Sequence, residues 1–209
     1  MRLIRTGLLS AVVGFLMSMS AVVFAESDPA IESGPFEKIE QVTAELLVVI
    51  ADHAEGFPEN ESQYFQALNT LLEQHIDFNY IAKSVMGRSA KSATGEQRVE
   101  FATKFRNGLI ETYGRGLVSY GDEQIVLVNK QELEPGKRMV SVKQEIRSDG
   151  SIFPIEYSMA RSKKTGKWKA INVVINGINM RNIFQSQFVN AAQKAGGNID
   201  TVIADWSAE

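Results

Sequence analysis

Residues 167–188 read Lys-Trp-Lys-Ala-Ile-Asn-Val-Val-Ile-Asn-Gly-Ile-Asn-Met-Arg-Asn-Ile-Phe-Gln-Ser-Gln-Phe, so a strand, a sharp stop and a helix follow one another. Lys169, Ile171, Val173 and Ile175 alternate with Trp168, Ala170, Asn172 and Val174. That period of two, rich in β-branched residues, predicts a sheet strand apolar mainly on one face and ending at Gly177. The helix beyond it carries Ile183, Phe184 and Phe188. Upstream, the same period runs back to Glu123. The turn signals Glu134-Pro135-Gly136, Ser148-Asp149-Gly150 and Lys163-Lys164-Thr165-Gly166 cut it into strands at about 124–130, 138–147, 151–161 and 167–176, a four-stranded antiparallel meander. Val140, Val142 and Ile146 oppose Ser141, Lys143, Glu145 and Arg147, and Phe153, Ile155, Tyr157 and Met159 share a face, so one side of the sheet is dry.

The chain before the meander has helical spacing. Phe36, Ile39, Val42, Leu46, Leu47, Val49 and Ile50 form one stripe, with Pro35 suited to the first helical position and Gly56-Phe57-Pro58 closing the segment. Asn60 and Gln63 resemble a capping box for a second helix whose stripe is Tyr64, Phe65, Leu68, Leu71, Leu72 and Ile76. Asp77 is placed to cap a short third helix with Phe78, Ile81, Val85 and Met86, and Gly87 to end it. Thr94 and Gln97 open the longest helix, along which Phe101, Phe105, Leu109, Tyr113 and Leu117 recur every fourth residue. Gly108, Gly114 and Gly116 interrupt it and are expected to mark close packing or a bend, since each costs a helix up to about 1 kcal/mol relative to Ala. After Gly196-Gly197 a short amphipathic segment holds Ile199, Val202, Ile203 and Trp206.

Arg2 and Arg5 precede an apolar run from Leu8 to Phe24, and Val23 and Ala25 provide the small residues that signal peptidase reads. A secretory signal peptide spanning residues 1–25 is expected, with a retained membrane anchor as the alternative. No cysteine follows for lipid attachment, so residues 26–209 are expected to be one soluble, unanchored domain exported from the cytoplasm. The whole chain has a formal net charge of −3, and removal of Arg2 and Arg5 leaves twenty basic residues against twenty-five acidic, a net of −5. Nucleic acid selects a basic surface, and this balance argues against it. Without Cys in an oxidising compartment, the fold has to rest on a packed core.

Chemistry-bearing patterns are sparse. His53 and His75 fall on different helices without metal-ligand spacing, and both are expected to be solvated or capping residues. No strained Gly-x-Ser-x-Gly turn places a nucleophile. Carboxylates are scattered over helix faces, and Asp149-Gly150 reads as a hairpin turn. Neither catalytic residues nor a metal or cofactor is expected. What the sequence does supply is helices, then a meander with a dry face, then helices again, an α+β architecture in which the space between sheet and helices is lined by Phe, Ile, Val, Met and Tyr. A solid core and a ligand pocket give the same pattern.

The Trp168-Lys169 start, the Val173-Val174-Ile175-x-Gly177-Ile178 core and the Ser186-Gln187-Phe188 close resemble the C-terminal signature of the MlaC family, periplasmic phospholipid-shuttling proteins also called toluene-tolerance factors. The block Asp77-Phe78-x-x-Ile81-x-x-x-Val85-Met86-Gly87-Arg88 looks like the family's other recurrent segment. The resemblance runs from about Phe36 to Trp206. It implies an NTF2-like α+β fold, with helices packed on a curved sheet and a phospholipid's acyl chains held between them. It also implies partners: an outer-membrane lipoprotein and porin assembly, and an inner-membrane ABC transporter bearing an MCE-domain ring. Asn172 and Asn176 stand where many members carry acids, Phe184-Gln185 where Tyr-Arg is common, and Ser89 and Ala90 where aromatics often follow Gly-Arg. The joint loss of acids and arginine fits an ion pair lost as a set.

A non-enzymatic, monomeric phospholipid carrier is therefore expected, serving outer-membrane lipid asymmetry. Its lining is expected from Phe78, Ile81, Val85, Met86, Phe101, Phe105, Leu109 and Tyr113 on the helices. The sheet is expected to add Val140, Val142, Ile155, Tyr157, Met159, Ile171, Val173 and Ile175. Two rivals remain open: an enzyme of ketosteroid-isomerase type, which needs a carboxylate and a phenol converging inside the cavity, and an interaction module whose cavity is filled by its own side chains.

Overall fold

Seven helices and five strands make up the structure, a computed structural model that describes residues 34–121 and 123–208. The expected signal peptide and its cleavage site lie outside the described residues. Helix α1 spans Pro35–Ala54 with Pro35 at its start, and α2 spans Glu61–His75. Asn60 precedes α2 without a side-chain cap bond: its amide donates instead to the His53 carbonyl at 3.0 Å, tying the end of α1 to the start of α2. The Asn60 and Gln63 pattern is therefore a helix-helix tie and not a capping box.

The other local signals form as their chemistry requires. The Asp77 carboxylate accepts from the Tyr80 amide at 2.9 Å and starts α3, Phe78–Met86. Gly87 follows with φ +55°, a conformation that favours a residue without Cβ. A single unforeseen turn, α4, spans Ser89–Ser92. Helix α5, Gly95–Leu117, opens with a full capping box in which Thr94 and Gln97 satisfy each other's backbone amides. Its glycines differ from one another: Gly114 packs against Leu68 and Phe65, Gly108 against Ala208, and Gly116 has nothing near it.

The meander is antiparallel in the order β1-β2-β3-β4-β5, with β1 Gln124–Leu127, β2 Met139–Ser148, β3 Ser151–Arg161, β4 Trp168–Ile175 and β5 Ile178–Asn179. The two-residue β5 raises the count from the expected four to five. It exists because Asn176, with φ +50°, and Gly177, with φ +78°, form a tight turn that folds the chain back on β4. Asn176 thus belongs to the turn and not to the strand. β1 stops early because the Asn129 side chain bonds Ser141 and Lys143 of β2 in place of the backbone ladder. Asn179 then caps α6, Met180–Lys194, and Asn198 caps α7, Ile199–Ala204.

A bulge decides which way β4 faces. Tyr157 pairs with Val173, but Met159 pairs with Ala170, leaving Ile171 as the extra residue. The expected strict alternation along residues 168–175 therefore breaks at Ile171, and Ala170 takes the face that Ile171 was expected to hold.

Three apolar clusters hold these layers. α1 lays Phe36 and Ile39 on Val140, Val142, Met159, Trp168 and Ala170 of the sheet. Ile50, Tyr64, Leu68 and Ile110 join α1, α2 and α5, with the buried Tyr64 hydroxyl donating to the Gly114 carbonyl at 3.0 Å. α3, α5, α6 and α7 meet around Phe101, Phe105, Phe184 and Phe188, where Phe101 lies edge-on to Phe188 and Trp206 at centroid distances of 4.8 and 5.1 Å.

Candidate functional site, an apolar cavity between sheet and helices

Between the three clusters remains a cavity of about 410 Å³. Its helical wall comes from Ile39, Val42 and Leu46 of α1, Leu68 and Leu72 of α2, Phe78 and Ile81 of α3, Phe105, Leu109 and Tyr113 of α5, and Met180 and Phe184 of α6. Tyr157, Met159, Ala170, Val173 and Ile175 form the sheet wall. Burial falls along β4 from Trp168 to the exposed Ile175, and Tyr113 opposite is also exposed, so this end reaches solvent. Lys38 and Arg181 border the lining.

Of the residues expected from sequence, Phe78, Ile81, Phe105, Leu109, Tyr113, Tyr157, Met159, Val173 and Ile175 do line this cavity, and seven others do not. Val85, Met86 and Phe101 are packed in the helical cluster, because α3 and α5 run from the cavity into the core against α6 and α7. Val140 and Val142 face the same side of the sheet as Met159 and Tyr157 but are covered by Phe36 and Ile39. Ile155 sits off the cavity, and Ile171 is displaced by the bulge. Sequence reasoning passed over the α1 and α2 contribution and Met180 and Phe184. Val42, Leu46 and Leu72 lie on stripes that were legible, but nothing in a stripe says that a cavity faces it.

Tyr157 apart, the polar groups His75, Asn172 and Thr43 on the wall were not foreseen. His75, expected to be solvated or capping, is 7% exposed at the end of α2; its Nε2 lies 3.3 Å from a Glu45 carboxylate oxygen and its buried Nδ1 has no partner. Burial, with Lys38 nearby, holds the His75 pKa below its ordinary value, so the ring is neutral at neutral pH. Asn172 is 6% exposed and its buried Oδ1 is unpaired. Burial pushes the Tyr157 phenol up to about 12. Thr43 also touches the cavity and is bonded to Gln144, which carries on the dry face of β2. His53, by contrast, turns Nδ1 to the Val49 carbonyl of its own helix at 2.9 Å.

The sequence departures fall in separate places. Asn172 lies in the cavity wall, Asn176 in the turn after β4, and Gln185 donates to the Ser84 carbonyl at 3.0 Å, satisfying an end group of α3.

An α+β sheet-and-helix shell around an almost wholly apolar cavity defines a protein that holds hydrophobic ligands. The model of the family described as MlaC protein matches residues 40–208, and this chain belongs to the MlaC family. It is 31% identical over 176 residues, 84% of this chain and 80% of the other, to toluene tolerance protein ttg2D of Pseudomonas putida. It is 22% identical over 174 residues, covering 82% and 80%, to the intermembrane phospholipid transport system binding protein MlaC of Haemophilus influenzae. Its fold matches that of a phospholipid-binding protein from Ralstonia solanacearum, solved in complex with a phospholipid, with a TM-score of 0.73 at 20% identity over 82% of this chain and 94% of that one. Among the described residues, no helix is long and apolar enough to cross a membrane.

Proposed function

We propose that this chain is a soluble periplasmic carrier that takes phospholipid acyl chains into the cavity and leaves the head group in solvent. It moves lipid between an outer-membrane lipoprotein and porin complex and an inner-membrane MCE-domain ABC transporter, and so maintains outer-membrane lipid asymmetry. The observation that carries this reading is the apolar cavity of about 410 Å³, open beside Tyr113 and Ile175. Burying a methylene is worth about 0.8 kcal/mol, so a long acyl chain costs on the order of 12 kcal/mol to expose to water. A carrier has to offer nearly the apolar area that the membrane offers, and net direction then comes from its docking partners.

The carrier acts without chemistry. The lining supplies the Tyr157 phenol but no carboxylate, and steroid-isomerase chemistry requires both. Native mass spectrometry of the purified secreted protein tests the reading: intact glycerophospholipid should emerge bound to a chain that begins at Glu26. A ligand-free protein that takes up no phospholipid from vesicles, or one that hydrolyses it, would overturn the proposal.

A further inference from the structure

Charge is divided unevenly along this chain. Residues 26–209 have a net charge of −5, and within them residues 157–199 hold seven basic side chains and no acidic one, so the remainder carries −12. Four of the seven, Arg161, Lys163, Lys164 and Lys167, stand at the turn between β3 and β4, and all four are exposed. The fold adds a fifth from the start of β2. Arg138 is exposed, its guanidinium donates to the Arg161 carbonyl at 2.5 Å, and the Arg161 guanidinium donates in turn to the Gly166 carbonyl at 2.7 Å. The turn is closed by the Ser162 amide on the Lys167 carbonyl at 2.9 Å and the Gly166 amide on the Ser162 carbonyl at 3.0 Å.

Among the described residues none of these five cations forms an ion pair, whereas neighbouring Lys137 lies 3.6 Å from Glu134. Like charges gathered at one end of a sheet repel one another, and a negatively charged partner relieves that repulsion. The composition of the patch selects the kind of partner. Protein interfaces are poor in Lys and have an apolar core. Here three of the five cations are Lys, and their ammonium groups make no hydrogen bond among the described residues. Met139, paired with Ala160 and 61% exposed, is the single large apolar side chain exposed beside this turn among the described residues. Unfixed charges around one apolar side chain match the diffuse charge of an anionic bilayer.

We propose that the β3–β4 turn, with Arg138 and Met139 beside it, docks the protein on the surface of a bilayer that contains anionic phospholipid. This goes beyond the carrier reading and holds whatever the cavity contains. β4 runs from the turn to Ile175 at the cavity mouth, about 20 Å at the rise of a strand, so docking through the turn leaves the mouth free.

The test is flotation of the purified mature protein with vesicles of phosphatidylcholine, alone or mixed with an equal part of phosphatidylglycerol, at low salt. The protein should float with the mixed vesicles and stay behind with the neutral ones. About 1 M NaCl, where the Debye length is about 3 Å, should abolish the binding. Each Lys near an anionic surface is worth about fivefold in affinity, so Lys163→Gln, Lys164→Gln and Lys167→Gln together should weaken binding on the order of a hundredfold. Lys83→Gln, Lys104→Gln and Lys194→Gln together remove the same charge from α3, α5 and α6 and should change it little. Circular dichroism checks that both triple variants are folded. Equal flotation with the two kinds of vesicle overturns the proposal, as do equal losses in the two triple variants, which would assign the effect to net charge. No flotation with either also overturns it, the result expected if the turn meets an acidic protein face. None of these outcomes alters the lipid content read by native mass spectrometry, so failure here is distinct from failure of the carrier reading.

Discussion

Single residues differ here by what they touch, even when their type is the same. Gly114 and Gly116 lie two positions apart near the end of α5, yet a Cβ at Gly114 would stand 2.9 Å from Leu68 and 3.2 Å from Phe65, whereas at Gly116 it would meet nothing within 4 Å. Gly116→Ala should therefore raise stability by about 0.5 kcal/mol through helix propensity alone. Gly114→Val should destabilise by about 1–3 kcal/mol through overpacking; urea midpoints of the two variants check both signs. His75 gives a second test. Its folded pKa is lowered, so the unfolded chain binds the proton more readily, and its contribution to stability is complete above the ordinary value of 6.5 and is lost as pH falls below it. Denaturation midpoints measured from neutral to mildly acid pH should fall less steeply in His75→Leu than in the unmutated protein. An identical slope would show that the imidazole does not titrate differently on folding.

At the scale of elements, each amphipathic face is shared between solid core and open space. The face of β2 that carries Val142 is sealed by α1, while the face of β4 that carries Val173 is left open to the cavity. Val142→Asp should unfold the protein, because it buries an unpaired carboxylate in a packed layer. Val173→Trp should instead preserve the circular dichroism spectrum and reduce bound phospholipid several-fold, since the indole occupies space rather than displacing core. If Val173→Trp loads lipid normally, the cavity beside β4 is not where the chains lie. The contrast also separates what was legible from what was not. Asp77, Thr94 and Gln97 act within one turn of chain, so their caps follow from local order. The β4 bulge, the pairing of Asn60 with His53 and the short β5 depend on partners brought up from elsewhere or on turn geometry that residue type alone leaves open.

For the molecule as a whole, an apolar cavity that is empty forfeits the contacts of its lining, and a bound chain restores them. Ligand that binds only the folded state stabilises it by about 2.7 kcal/mol at a hundred times its Kd. Lipid-stripped protein should accordingly melt about 5–10 °C below the loaded form and recover on reloading. Calorimetry of both forms decides it, and equal melting temperatures would count against a ligand seated in the core.

The sequence by itself determined the order of elements, helices before a meander and helices after it, and the side of each that turns from water. Periodicity of two or 3.6 records direction along a strand or helix, and caps and turns are written in a few neighbouring residues. Whether an apolar side chain then meets another side chain or open space was decided only by tertiary structure. Burial rewards both alike, so Val142 under α1 and Val173 on the cavity carry the same signal. That Asn172 borders the cavity and Ile171 does not became visible only with the bulge in β4.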